Sequence, residues 1–310
     1  MPVAVQVDGL VKRYGDLVAV DGIRFDVAPG TVFAFLGPNG AGKTTTVEIL
    51  EGLRRASAGT VRVLGLDPWR EGAELHRKIG VIPQEFRFFD KITVREAVEY
   101  YRSLFGTSVE PAELLARVEL LDKSSSRFDT LSGGQKQKLG LALSLTNDPE
   151  ICFLDEPTTG LDPHARRAIW SVIRSLRKDG RTVFLTTHYL EEAQLLADRV
   201  AIIHHGRIIA AGTPEEIIRA HGRPARLRVD GPPALAELLA RELGVTARAD
   251  AGHVEVDLAD KRDALRILEA IDRSGLPWDR VATEEETLED VFVRLVGRMD
   301  EGALKSEVPA

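Results

Sequence analysis

Apolar positions along this chain change their period several times. Val3, Val5 and Val7 alternate with polar or small residues, as do Ile23, Phe25 and Val27, and this period of two predicts strands. Pro29-Gly30 reads as a turn. Thr31 to Leu36 is apolar almost without interruption, which suits a strand buried on both faces of a parallel sheet. A glycine-rich loop over 37–42 precedes a helix expected from about Gly42 to Leu53. The middle, about 67–149, reads as mostly helical: Asp67-Pro68 looks like an N-cap with proline at N1, and Thr93 and Glu96 have capping-box spacing. A second α/β section follows. Ile151 to Leu154 and Thr182 to Thr186 read as buried strands, Pro163 to Lys178 and Tyr189 to Ala197 as helices. Val200 to Ala211 reads as a hairpin turning at His205-Gly206, with His204 and His205 expected in solvent.

Around His221-Gly222-Arg223-Pro224 the periodicity lapses, and a domain boundary is expected there. Beyond it the pattern runs strand (Leu227, Val229), helix (232–243), strand (Val254, Val256), helix (260–274), strand near Val281, helix (287–297). That order predicts a small α+β domain, with a ferredoxin-like arrangement as one candidate. The expected division is 1–219, 220–303 and a loose tail over 304–310.

Composition narrows the class. Of 310 residues, 44% are hydrophobic and 29% charged, as in ordinary folded proteins. A net charge of -7 argues against binding along a nucleic-acid backbone. The single cysteine, Cys152, allows no internal disulfide and fits a reducing compartment. The start lacks a basic segment with an apolar core, so no secretory signal is read. Apolar runs such as Leu139 to Leu145 fall far short of the roughly 20 residues that span a bilayer, so any membrane-spanning part is expected on another chain.

Gly37-Pro38-Asn39-Gly40-Ala41-Gly42-Lys43-Thr44, followed by Thr45, matches the phosphate-loop pattern at every fixed position, between a buried strand and a helix. Glycines let the backbone form a nest of N–H groups, and the helix N-terminus adds its dipole. Lys43 would reach the outer phosphates and the Thr44 hydroxyl would hold Mg²⁺. Such a site needs a carboxylate at the end of a neighbouring strand. Ile151 to Leu154 ends in Asp155-Glu156: Asp155 for Mg²⁺, and Glu156 to polarise the attacking water.

Leu131-Ser132-Gly133-Gly134-Gln135 opens an apolar-periodic helix, and Ser132 and Gln135 have capping-box spacing. A cap alone does not explain two adjacent glycines. This stretch resembles the signature sequence of ATP-binding-cassette (ABC) ATPases, and residues 1–218 resemble that family in motif order. The resemblance implies a P-loop α/β core of RecA-like type, with an antiparallel β subdomain and a helical subdomain. Gln84 matches the family's glutamine loop and implies a metal ligand. Gly160-Leu161-Asp162 matches its D-loop, although Asp162 before Pro163 is also a good N-cap. His188 matches the switch histidine that senses the γ-phosphate. Tyr14 stands where the family stacks an aromatic on adenine, or else simply packs. Lys138, where arginine is commoner, and Ala56-Ser57-Ala58-Gly59 are slight departures.

What the resemblance implies for function is an ATP hydrolase working with Mg²⁺. Two copies would meet head to tail, so that Ser132 and the Gly133-Gly134 amides of one cap the phosphate held by Lys43 of the other, with Glu156 as general base. Phe86, Phe88 and Phe89 around Arg87 fit either a groove for a permease helix or the core. Thr287 to Leu295 resembles the C-terminal extension of drug-exporter subunits of the daunorubicin-resistance type. Leu288, Val291, Phe292 and Leu295 equally suit the inner face of a small domain. The expectation is an exporter motor on the cytoplasmic face of the membrane, bound to a separate polytopic permease and to no nucleic acid. The alternative is a soluble ABC ATPase acting on ribosomes, DNA or cofactor assembly.

Overall fold

The computed structural model describes residues 3–250, 252–258, 260 and 262–306. They form two compact units that divide between Pro214 and Glu215. The first begins with strands β1 (Val5–Tyr14), β2 (Leu17–Val27) and β3 (Val32–Leu36). Then come α1 (Lys43–Leu50), β4 (Ala58–Val63), the single turn α2 (Gly72–Leu75), β5 (Ile79–Ile82), α3 (Val94–Phe105), α4 (Pro111–Arg117) and α5 (Gly133–Ser144). The unit continues with β6 (Ile151–Asp155), α6 (Pro163–Lys178), β7 (Thr182–Thr187), α7 (Leu190–Leu196), β8 (Arg199–His204) and β9 (Arg207–Gly212). Helix α8 (Pro214–His221) leads into the second unit: β10 (Ala225–Asp230), α9 (Ala234–Leu243), β11 (Ala247–Asp250), β12 (His253–Leu258), α10 (Asp263–Ser274), β13 (Val281–Glu284) and α11 (Leu288–Ser306).

A six-stranded sheet in the order β5-β6-β7-β3-β8-β9 is the centre of the first unit. Its strands are parallel except for β9, which folds back on β8 through His205-Gly206. The apolar runs are explained by what lies on each face. In β6, Cys152 and Leu154 enter one core with α5 and α6 residues such as Leu139, Leu141 and Ile173. Ile151 and Phe153 enter the other, shared with β1, β2 and α1. Phe33, Phe35, Phe153 and Phe184 cluster in that second core with tilted rings, the centroids of Phe153 and Phe184 5.6 Å apart. A three-stranded antiparallel sheet, β2-β1-β4, covers this side. The α/β core, the antiparallel β subdomain and the helical subdomain of α3 to α5 are as expected.

Both capping boxes form: Thr93 with Glu96 at α3, and Ser132 with Gln135 at α5. Several expectations are corrected. Strands β4 and β5 have no counterpart in the sequence pattern. β5 is a four-residue edge strand of the parallel sheet inside the stretch expected to be helical. Helix α1 stops at Leu50, leaving Leu53 exposed. Asp67 accepts the N–H groups of Trp69 and Arg70, but the turn it caps does not continue, and α2 starts only at Gly72. His204 is buried at the end of β8 rather than solvated.

In the second unit the order β10-α9-β11-β12-α10-β13 gives the sheet β11-β12-β10-β13, antiparallel throughout, which is the ferredoxin-like arrangement. Leu227, Val229, Val254 and Val256 point inward against Leu235, Leu239, Ile267 and Ile271. The pattern does not reveal β11 because Ala-Arg-Ala-Asp is short, alternates only alanine with charge, and serves as an edge. On α11, Leu288 and Val291 are buried and Val293 is exposed. The helix runs on to Ser306, and tail residues 307–310 lie outside the described residues.

Candidate functional site

Parallel strands share an edge at which their carboxyl ends gather, and ligands of such sheets bind there. With the order β5-β6-β7-β3, that edge carries, side by side, Gln84 after β5, Asp155-Glu156 at the end of β6, His188 after β7, and the phosphate loop after β3. The loop needs glycine at two of its positions. A Cβ at Gly37 would sit 2.3 Å from the Ile203 carbonyl oxygen. Gly42 has φ +107°, and its Cβ would lie 2.5 Å from the Ala19 carbonyl oxygen. Gly42 caps α1 without any side chain, so the first N–H groups of the helix remain available to an anion. Lys43, 5% exposed, donates to the carbonyl oxygens of Gly37 (2.9 Å) and Pro38 (3.3 Å), which curls it back over the loop.

Glu156 is the hub. It adopts φ +47°, a left-handed conformation that costs a non-glycine residue roughly 1–3 kcal/mol and tends to occur at functional sites. Its N–H is held by the Thr186 carbonyl oxygen (3.1 Å) and the Thr186 hydroxyl (3.0 Å). The turned backbone brings one carboxylate oxygen 3.4 Å from Lys43 Nζ. The other oxygen meets three groups: Gln84 Nε2 at 3.3 Å, the Thr159 hydroxyl at 3.1 Å and His188 Nδ1 at 3.0 Å. Asp155 lies beneath, buried, and accepts the Thr186 hydroxyl. Burial pushes the Asp155 carboxyl above its usual range. The Thr186 hydrogen bond opposes that, the Glu156 charge adds to it, and Lys43 counters it.

A cleft of about 420 Å³ opens above this edge, lined by Tyr14, Leu17, Ala19, Asn39, Gly40, Gly42, Lys43, Thr44, Thr45, Gln84 and Glu156. Tyr14 is 38% exposed, with Lys12 5.0 Å and Arg54 5.4 Å from its ring centre. Of the other expected residues, Pro38 and Ala41 complete the loop, Asp155 sits under it, and His188 reaches it through Glu156. Leu131, Ser132, Gly133, Gly134 and Gln135 do not line the cleft, and neither does Asp162. Asp162 caps α6, accepting His164 and Ala165 N–H groups at 2.9 Å. Lys138 pairs with Glu119 at 2.7 Å. Phe86 and Phe88 pack onto the helical core, whereas Phe89 is 65% exposed. Sequence reasoning missed Thr186, Thr159, Leu17 and Ala19. The one signal available was the pair of hydroxyls ending an otherwise apolar strand, Thr186-Thr187.

Another buried acid stands at the foot of α1. Glu51, its C-cap residue, is 5% exposed. Burial pushes its carboxyl from 4.5 up to about 8, with the Asp155 and Glu48 charges adding to the rise. The folded chain therefore keeps a proton that the unfolded chain releases near pH 4.5, so stability falls as pH rises from there through about 8. At about 1.4 kcal/mol per unit of pKa, the loss amounts to a few kcal/mol. Glu51→Gln should remove this slope: similar to the native chain near pH 4.5, more stable at pH 9. Urea unfolding in chelator at both pH values checks it, and parallel losses in the two chains would contradict it.

Residues 20–159 match the ABC transporter family, and residues 212–296 match the C-terminal domain of ATP-binding proteins of DrrA1-3 type. The chain is 40% identical over 303 residues to the daunorubicin resistance ATP-binding protein DrrA3 of Streptomyces coeruleorubidus, covering 95% of this chain and 96% of the relative. It is 39% identical over 313 residues to the Nod factor export ATP-binding protein I of Rhizobium sp. (strain N33), covering 96% and 98%. Among solved structures, an ATP-binding subunit of an ABC transporter superposes with a TM-score of 0.64 at 28% identity, covering 71% of this chain and 93% of that one.

A phosphate loop and a buried acidic pair on one parallel-sheet edge, beside a capped Leu-Ser-Gly-Gly-Gln helix, define an ATPase of the ABC class. This chain belongs to the ABC transporter ATP-binding family, with a C-terminal domain of the daunorubicin-resistance type. It binds ATP and hydrolyses it.

Proposed function

We propose that the chain is the motor subunit of a membrane ABC exporter that moves a drug, another small molecule or a lipid-like cargo through a separate polytopic permease. The observation that carries the mechanism is the set of four side chains, Lys43, Gln84, Thr159 and His188, converging on the Glu156 carboxylate. A carboxylate so held can accept the proton of an attacking water while its neighbours keep it aimed, and in-line transfer of the γ-phosphoryl group to water depends chiefly on such positioning. Lys43 would let go of the loop carbonyls to reach the phosphates, and Tyr14 would cover the adenine. Thr44, Asp155 and Gln84 form an all-oxygen donor set suited to Mg²⁺. Burial raises the Asp155 carboxyl, and a bound cation would oppose that rise. When bound, the ion neutralises charge building on the phosphate oxygens.

The signature segment supports a second copy in the reaction. Gly133 has open space where a side chain would be, at the N-terminus of α5, outside the chain's own cleft. In a head-to-tail pair, Ser132 and the Gly133 and Gly134 amides would cap the phosphate held by the partner's loop, with Asp162 at the same seam. The two units are read as the ATP-binding domain (1–219) and an extension (220–303). Export is favoured by the names of the relatives, and placement at the cytoplasmic face follows from that reading. No helix among the described residues is long and apolar enough to cross a membrane.

The test is affinity capture of tagged Glu156→Gln from detergent-solubilised membranes with ATP and Mg²⁺, with Lys43→Ala as control. A polytopic membrane protein should be recovered with the first variant and not with the second. Recovery instead with ribosomes or nucleic acid from the soluble fraction would overturn the transport reading and leave the ATPase intact.

A further inference from the structure

Behind the Glu156 turn stands a further buried carboxyl, bonded to Thr158 two residues on. Glu192, on α7, is fully buried, at 0% exposure. One of its oxygens, Oε1, accepts two hydrogen bonds: from the Thr158 hydroxyl at 3.0 Å and from the Trp170 indole N–H at 2.7 Å. Thr158 is buried at 0% and Trp170 at 6%, so neither donor has water as a substitute partner. The other oxygen, Oε2, is buried without a hydrogen-bond partner among the described residues. A carboxyl buried this deeply is costly unless donors surround it, and the Thr187 hydroxyl also lies near enough to lower its pKa. Burial raises its pKa, against the pull of the Thr187 hydroxyl, the Trp170 indole, the Thr158 hydroxyl and the Arg166 charge.

Glu192 and its two hydrogen-bond donors lie on three different segments. Thr158 belongs to the turn that starts at Glu156, closed by the Thr159 N–H on the Glu156 carbonyl oxygen at 3.2 Å and the Leu161 N–H on the Thr158 carbonyl oxygen at 3.2 Å. That turn delivers the Thr159 hydroxyl to Glu156 and ends at the Asp162 cap of α6. Trp170 lies on α6. Glu192 itself lies four residues after His188, whose ring meets that of Tyr189 at a tilt, 4.2 Å between centroids. On the same side, the Arg166 guanidinium of α6 lies 4.4 Å from the Tyr189 ring centre.

We propose that Glu192 is a positioning residue for ATP hydrolysis. Its Oε1 fastens the 156–162 turn and α6 to the helix behind His188, and so fixes the distance between the general base and its two neighbours, Thr159 and His188. The proposal rests on Glu156 as base. It requires an acceptor oxygen at this place rather than a charge, which makes Glu192→Gln the conservative replacement and Glu192→Leu the disruptive one.

The experiment compares Thr158→Val, Trp170→Phe, Glu192→Gln and Glu192→Leu with the native chain and with Glu156→Gln, following kcat, KM for ATP and thermal unfolding. Thr158→Val and Trp170→Phe each remove one donor at almost constant shape, so the test does not depend on Glu192→Leu folding. Each should lower kcat about fivefold to tenfold with KM within twofold, inside the roughly 10²-fold that a 1 Å misplacement can cost. Glu192→Gln should restore kcat to within about threefold of native, because its amide oxygen accepts the same two bonds. A fall in melting temperature with kcat unchanged in Thr158→Val and Trp170→Phe would make the network purely structural and overturn the proposal. So would a change confined to KM. If Glu156→Gln hydrolyses ATP as fast as the native chain, the base assignment fails. If it is inactive while Thr158→Val and Trp170→Phe are normal, only the role of Glu192 fails.

Discussion

Glu156→Gln should lower ATP turnover by about 10²–10³-fold, the range of a general base, while nucleotide affinity stays within a few fold. The amide keeps the size of the side chain and an oxygen facing its donors. What it loses is the capacity to take a proton from water and the charge that holds Lys43 at 3.4 Å. Lys43 then has no carboxylate to leave when phosphate arrives, so binding is preserved or strengthened. Phosphate release at saturating ATP, set beside binding of a fluorescent ATP analogue, separates the two effects. Turnover within threefold of native would mean that the base lies elsewhere.

The second large effect is expected at Lys43. Lys43→Met keeps most of the aliphatic stem and removes the ammonium. Hydrogen bonds to charged groups are worth roughly 1.5–3 kcal/mol each, so losing the phosphate contact should weaken ATP binding by about 10–100-fold, with turnover falling further. The nucleotide-free chain should also lose stability. Glu156 is 6% exposed, and a buried carboxylate stripped of its cation is costly, at about 3–5 kcal/mol where no other donor remains. Gln84, Thr159 and His188 still face it, so about 2 kcal/mol is the expectation. In Lys43→Met/Glu156→Gln the stability loss should largely disappear, because no uncompensated charge is left, while ATP binding stays weak. Denaturant unfolding of the two single variants and the double variant gives the coupling directly. Additive losses would show that the pair contributes nothing to the folded state.

Much of the local structure was legible because its causes are local. A capping box needs two residues three apart, and both Thr93/Glu96 and Ser132/Gln135 form as spaced. The turn at His205-Gly206 has both residues at positive φ, the requirement of a two-residue hairpin whose strands twist together. The strands entering the two cores were legible for a different reason. Burial on both faces removes the alternation, and such runs beside Gly-x-x-x-x-Gly-Lys-Thr have few other readings. Some edge strands escaped. β5 and β11 have four residues each, and a strand paired on one side is specified more by its neighbour than by its own pattern. His204 was misplaced because a polar residue next to a turn looks solvated until a sheet closes over it.

By itself the sequence determined the chemistry on offer: a loop able to cradle phosphate, a lysine to reach it, two acids at a strand end and a second capped glycine helix. Each is set by residue type and close spacing. Only the tertiary structure decided which of these groups meet. Gln84 reaches Glu156 across 72 positions and His188 across 32, because β5, β6, β7 and β3 lie side by side and parallel, with their carboxyl ends on one edge. Thr186, Thr159 and Glu192 acquire their parts in the same way. A hydroxyl or carboxyl has no assigned partner in the sequence, and gains one only when folding removes the water that would otherwise satisfy it.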